Sequence, residues 1–349
     1  MEEKVWKLSV FFLTVLAALA VLALPYLPAI HTMDVEFREA RLAQKNYEEN
    51  LFQMKHMAMQ NGGGVGTKNG KISIRLPEGV DGSSVQVTND YVKQTIKIVM
   101  PKTDEAYFDS APVSGSSSYI DMISCYRQGE EGMIEIVTDR VYELDTTYDE
   151  DYYYFNFLTP HEVYDKVVVI DAGHGGRDPG TIRQGLNEKD VNLAIALQLK
   201  SIFEENDDKI GVYYTRMDDS NPSYEQRVQL ANETDADLFI SIHNNSLQGR
   251  RVSSTKGTQV MYSETSGLSE QFAQICLEEM TKVLGSDNRG LVEGNSIYII
   301  RNSEVPAALI EVGFMTNPEE LALLGTETYQ RQAAEGIYRS VFRAFEEGY

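Results

Sequence analysis

From residue 166 onward, short uninterrupted apolar strands alternate with amphipathic helices, and this alternation limits the fold more than any other feature of the chain. Val167-Val-Val-Ile-Asp171 reads as a strand buried on both faces. Helical periodicity follows from Asp190 to about Glu205, then a strand at Gly211–Thr215, a helix at Ser223–Thr234 and a strand at Asp237–Ile242. Further strands are expected at Gly257–Tyr262, Ser296–Ile300 and Ala307–Val312, with helices at Leu268–Leu284, Pro318–Leu324 and Glu327–Glu347. Such a series implies an α/β domain with a mostly parallel sheet flanked by helices.

The stretch before it has a different rhythm. Lys71–Arg75, Ser84–Thr88, Gln94–Val99 and Gly132–Val137 alternate apolar with polar residues between Gly, Pro, Asn and Asp turns, which suggests a small all-β sandwich over 71–160. Val141–Asp165, acidic and tyrosine-rich, reads as a half-buried last strand and a solvated linker. Asp34–Gln60 suits a helical stalk, and Asn61–Gly70 a flexible glycine-rich linker. Leu8–Leu24 is a run of seventeen uncharged, mostly apolar residues extended to Ile30. It predicts a transmembrane signal-anchor, with a cleaved signal peptide ending near Ala18-Leu-Ala20 as the alternative. Lys4 and Lys7 before the run are matched by Arg38 and Arg41 after it, so charge alone sets no orientation. The expected organisation is therefore 1–30 cytoplasmic tip and membrane helix, 31–70 stalk and linker, 71–160 β-rich domain and 161–349 catalytic domain.

A formal charge of −22 argues against a nucleic-acid partner, because phosphate binding needs a basic surface. Cys125 and Cys276 are the two cysteines, too few for a disulfide framework or a cysteine zinc ribbon.

The chemistry gathers at strand ends. His174 and His243 each fall just past a buried strand, Glu311 ends a third, and Glu188 opens the helix after the first. In open α/β sheets the C-terminal edge is where ligands bind. Two imidazoles and a carboxylate are a suitable set for a catalytic zinc, with a second carboxylate as proton acceptor, although a lone His at a strand end is more often structural and a lone Glu more often solvated. No His-Glu-x-x-His string occurs.

Val169-Ile-Asp-Ala-Gly-His-Gly-Gly-Arg-Asp-Pro-Gly180, Asn187-Glu-Lys-Asp190, Ser241-Ile-His-Asn-Asn245 and Leu309-Ile-Glu-Val-Gly-Phe-Met-Thr-Asn317 resemble, in order and spacing, the motifs of the zinc-dependent N-acetylmuramoyl-L-alanine amidases. Asn288-Arg-Gly290 and Ile299-Ile-Arg-Asn302 are similar to that family's segments ahead of the glutamate strand. The resemblance covers about residues 166–349. It implies a peptidoglycan hydrolase that cleaves the amide between N-acetylmuramic acid and L-alanine with a zinc-activated water. Zinc would be held by His174, Glu188 and His243, with Glu311 as the catalytic carboxylate. It further implies a bacterial protein whose catalytic domain lies outside the cytoplasmic membrane, with peptidoglycan as partner and a regulator neither indicated nor excluded. The alternatives are a zinc hydrolase of another wall-peptide bond and an inactive membrane-tethered scaffold. Asp171 either orients a ligand or caps a turn, Asn244 and Asn245 either bind substrate amides or satisfy loop backbone, and Arg301 either meets a peptide carboxylate or is a solvated strand-end charge.

Overall fold

The computed structural model of the chain describes residues 71–349, apart from 105, 111, 115–118, 207–208, 248–251 and 265. The expected membrane segment, stalk and linker lie outside the described residues. Among the described residues no helix is long and apolar enough to cross a membrane.

Eight strands form the first half: β1 (Lys71–Arg75), β2 (Gln86–Asp90), β3 (Thr95–Met100), β4 (Val113–Ser114), β5 (Ile120–Gln128), β6 (Glu131–Thr138), β7 (Glu143–Tyr148) and β8 (Tyr152–Leu158). They pair antiparallel into two sheets, ordered β4-β1-β8-β7 and β2-β3-β6-β5. Ile72 and Ile74, Ile96 and Ile98, Ile134 and Ile136, and Tyr153, Phe155 and Phe157 occupy alternate positions and fill one core between the sheets. That is the period-two burial a sandwich requires. The Val141–Asp165 stretch supplies two strands rather than one. Its acidic residues collect in the turn, where Asp149 accepts from the N–H groups of Asp151 and Tyr152, while alternate aromatics of β8 enter the core.

The second half holds β9 (Lys166–Ala172), β10 (Ile182–Arg183), β11 (Leu186–Asn187), β12 (Ile210–Tyr214), β13 (Leu238–Asn245), β14 (Thr258–Tyr262), β15 (Asn288–Glu293) and β16 (Ala307–Phe314). Its helices, after a short α1 (Pro160–Val163), are α2 (Glu188–Asn206), α3 (Tyr224–Glu233), α4 (Gly267–Leu284), α5 (Tyr298–Asn302), α6 (Pro318–Leu324) and α7 (Glu327–Glu346). The six-stranded sheet runs β12-β9-β13-β16-β14-β15. It is mixed: every neighbouring pair is parallel except β14 against β16. Val168, Ile170, Ile240 and Ile310 face the core built with α2, α4 and α7. Val167, Val169, Phe239 and Leu309 face the other way, toward α3 and α5. Val141 of the sandwich joins this second core, and Tyr91 and Tyr213 both donate to Glu143 at 3.0 and 2.5 Å.

One expected strand is not a strand. Ser296–Ile300 leads into helix α5, and the edge strand is β15, Asn288–Glu293. A run of five residues cannot separate a strand from a buried helical turn by pattern alone. Ile299 and Ile300 are both buried, and adjacent residues share a buried side on a helix but not on a one-faced strand. Arg301 is accordingly an exposed helical residue, lying over the Tyr298 ring and donating to the Asn295 carbonyl at 3.1 Å. It is not a strand-end charge.

Candidate metal centre

The loop after β9 carries His174 in a left-handed backbone conformation, φ +61°. For a residue with a Cβ this costs about 1–2 kcal/mol. Charge-assisted hydrogen bonds, each worth about 1.5–3 kcal/mol, offset that strain. Arg227 donates through Nη2 to the His174 carbonyl at 2.7 Å, and the ring's Nδ1 meets Asp178 Oδ2 at 2.8 Å. Two glycines keep the space open. A Cβ on Gly173 would come 2.2 Å from His243 Nε2, and one on Gly180 would come 2.7 Å from both Glu188 Oε2 and His174 Cδ2.

Glu188, the first residue of α2, is buried with its carboxylate between the two imidazoles. His174 Nε2 and His243 Nδ1 each lie 3.1 Å from Glu188 Oε1. The carboxylate is held in place by N–H groups, from Asn244 to Oε1 at 3.2 Å and from Thr181 to Oε2 at 2.8 Å. One turn along the same helix, Asn192 donates to the Gly173 carbonyl at 3.1 Å and accepts from Asn244 at 2.8 Å. Helix α2, strand β13 and the His174 loop are thereby tied together by buried amides.

Burial opposes charge on His174, yet Glu188 and Asp178 push it up to about 9. Burial also opposes charge on Glu188, but the two imidazoles hold it far below the usual carboxylate range. Both shifts express one need. With Asp178 taking the Nδ1 proton of His174, the Nε2 lone pair confronts a carboxylate oxygen, and a second imidazole nitrogen faces the same atom. Electron-pair donors this close repel unless positive charge lies among them. A cation held among them would supply it. Two nitrogens and one oxygen form a zinc-type donor set, and ligands of a tetrahedral zinc are separated by about 3.3 Å, close to the spacing here. The residues fit the ion.

Glu311 stands on β16 opposite His243, its register partner on β13. Its Oε2 is shut off from solvent and has no hydrogen-bond partner among the described residues. Burial pushes this carboxyl up to about 7, with the His243 imidazole pulling the other way. Both His243 and Glu311 lie within their strands rather than past or at the end, because β13 and β16 run on to Asn245 and Phe314. The four expected residues are thus brought to one place.

Three others behave differently. Among the described residues Asp171 bonds to side chains of Arg227, Ser241 and Thr215, and not to a ring nitrogen or to turn backbone. Burial would raise its pKa, but its ion pair with Arg227 and hydrogen bonds from Ser241 and Thr215, each 2.6 Å, hold it low. Arg227 also donates to the carbonyls of Ala172 and His174, so the pair anchors the loop backbone. Asn244 serves the buried amide network. Asn245 donates to Gln259 Oε1 at 3.2 Å. Asp178, Asn192 and Arg227 had no assigned role in the sequence. Only Asn192 carried a usable signal, one helical turn after Glu188.

A family model described as N-acetylmuramoyl-L-alanine amidase matches residues 168–343. The germination-specific N-acetylmuramoyl-L-alanine amidase of Bacillus subtilis is 34% identical over 196 residues, 52% of this chain and 81% of that protein. The sporulation-specific N-acetylmuramoyl-L-alanine amidase of the same organism is 30% identical over 178 residues, 51% of this chain and 68% of that protein. The crystal structure of an N-acetylmuramoyl-L-alanine amidase from Clostridium difficile 630 superposes with a TM-score of 0.50 at 35% identity, covering 53% of this chain and 98% of that one. The chain belongs to the N-acetylmuramoyl-L-alanine amidase family.

Proposed function

We propose that this amidase hydrolyses the amide between N-acetylmuramic acid and L-alanine in peptidoglycan, with zinc at His174, Glu188 and His243 and with Glu311 as general base. The observation that carries the reading is the Glu311 carboxylate, its Oε2 shut off from solvent and without a hydrogen-bond partner among the described residues, beside three converging donors. When bound, zinc supplies Lewis acidity at the scissile carbonyl and lowers a water's pKa toward neutrality. Glu188 and the two imidazoles hold the ion, and Asp178 sets the tautomer of His174 so that Nε2 faces inward. Glu311 takes the proton of the attacking water as the C–O bond forms, then returns it to the nitrogen as the C–N bond breaks. The products are a lactyl carboxylate on the sugar and a free L-alanine amino group on the peptide.

Digestion of purified sacculi by the full-length protein, read by mass spectrometry of the fragments, tests this. The expected result is new L-alanine amino termini on released peptides and intact glycan strands. New reducing sugar ends, or peptides cut internally with their first residue still on the sugar, would overturn the bond assignment.

We further propose that Leu8–Ile30 anchors the chain in a bacterial cytoplasmic membrane with the catalytic part outside, because its uncharged length suits a membrane span and the polymer lies outside. Full-length protein is expected in the membrane fraction, with the catalytic part open to protease added to spheroplasts. Protection of that part, or recovery of the chain as soluble protein, would refute the arrangement.

A further inference from the structure

The order of strands places one more residue in the cleft. β9, β13, β16 and β14 are consecutive in the sheet. His243 on β13 is in register with Glu311 on β16, and Glu311 with Gln259 on β14. Directly opposite residues on neighbouring strands project to the same face, so these three form a row. His174 follows β9, and Glu188 reaches both imidazoles, so the donor cluster gathers at the β9 end of the row. The backbone of Gln259 lies at the other end, beyond Glu311, and its side chain reaches back over β16 to Asn245 on β13.

The side chain of Gln259 is half-buried and held at one end. Asn245 donates to its Oε1 at 3.2 Å. Among the described residues its Nε2 has no hydrogen-bond partner. An amide whose acceptor is occupied and whose donors are vacant offers two N–H groups to a carbonyl oxygen.

We infer that Gln259 is a substrate-positioning residue whose Nε2 donates a hydrogen bond to the carbonyl of the L-alanine that follows the scissile bond. The inference rests on the roles proposed above for the donor cluster and Glu311. Those roles put the scissile carbonyl at the cluster and the scissile nitrogen at Glu311, so the row runs from carbonyl to nitrogen and then on toward β14. The group on the nitrogen side is L-alanine, and the sugar extends the opposite way. Neighbouring strands are about 4.8 Å apart. One residue reaches about 3.5 Å and the Gln259 amide leans back over β16, so the alanyl carbonyl comes within its hydrogen-bonding range.

A bond of this kind holds substrate and transition state alike, so its loss appears in KM and not in kcat. The test uses the full-length protein with Gln259→Met, which keeps size and removes the amide, and Gln259→Glu, which keeps the acceptor for Asn245 and replaces the donor. The two products, released stem peptide and N-acetylmuramic acid, serve as inhibitors. Both variants are expected to raise KM and the stem-peptide inhibition constant about three- to tenfold, the range for one neutral hydrogen bond. The inhibition constant of N-acetylmuramic acid and the zinc content should stay at wild-type values, which a merely misfolded variant would not show. Unchanged KM and stem-peptide inhibition in both variants would overturn the role. So would weaker inhibition by N-acetylmuramic acid alone, which would put Gln259 on the sugar side. Failure of the base assignment is read separately, from kcat in Glu311→Gln.

Discussion

Glu311→Gln is expected to fold and to retain zinc while losing about 10²–10⁴-fold in kcat/KM, the usual contribution of a positioned general base. The substitution keeps the shape of the side chain and removes its basicity. No hydrogen bond is lost at Oε2, which bonds to no other group among the described residues. Steady-state kinetics beside elemental analysis gives the answer, and normal turnover with normal zinc would end Glu311's role as base. The pH profile adds a second reading. Without metal the carboxyl is held up to about 7 by burial; a zinc ion beside it would pull that value down, and only the deprotonated form accepts a proton. Wild-type kcat/KM should therefore rise with pH along a limb that flattens once Glu311 is ionised, and that limb should be missing in Glu311→Gln.

Removal of either imidazole should empty the metal site. His174→Ala and His243→Ala are each expected to lower zinc from about one ion per chain toward none and to abolish hydrolysis, because a three-ligand site reduced to two no longer outcompetes water. Glu188→Gln should weaken zinc binding as well, which separates a ligand from the base. Gly173→Ala is the more discriminating variant. It deletes no donor, yet its Cβ would come 2.2 Å from His243 Nε2, so the ring must move and zinc affinity must fall. The check is metal content after gel filtration, with a chelator competition for the weaker variants. Wild-type zinc content in both His174→Ala and His243→Ala would place the ion elsewhere.

The burial of charge around the site follows one logic. The Asp171–Arg227 pair is taken fully out of water, where each ion alone would carry a penalty of several kcal/mol. The pair is tolerated because Ser241, Thr215 and the carbonyls of Ala172 and His174 satisfy the remaining hydrogen-bonding groups. What it secures is the path of the loop that holds His174 in a conformation it would not adopt alone.

Much of this was legible without coordinates. Continuous apolar runs marked β9, β13 and β16, since a strand covered on both faces has no room for polar residues. Helical periodicity marked α2, α4 and α7, and the motifs located His174, Glu188, His243 and Glu311. These are local properties: a strand's period of two and a helix's period of 3.6 are written in neighbouring residues. What tertiary structure alone decided is which distant residues meet. Arg227 finds Asp171, Asn244 finds Asn192, and Gln259 comes to lie beside Glu311, each across more than fifty positions of chain. The reversal of β14 against β16 and the helical turn at Tyr298–Asn302 belong to the same class. Sheet order and register are set by how two hydrophobic faces pack at once, and no short window of sequence holds that information.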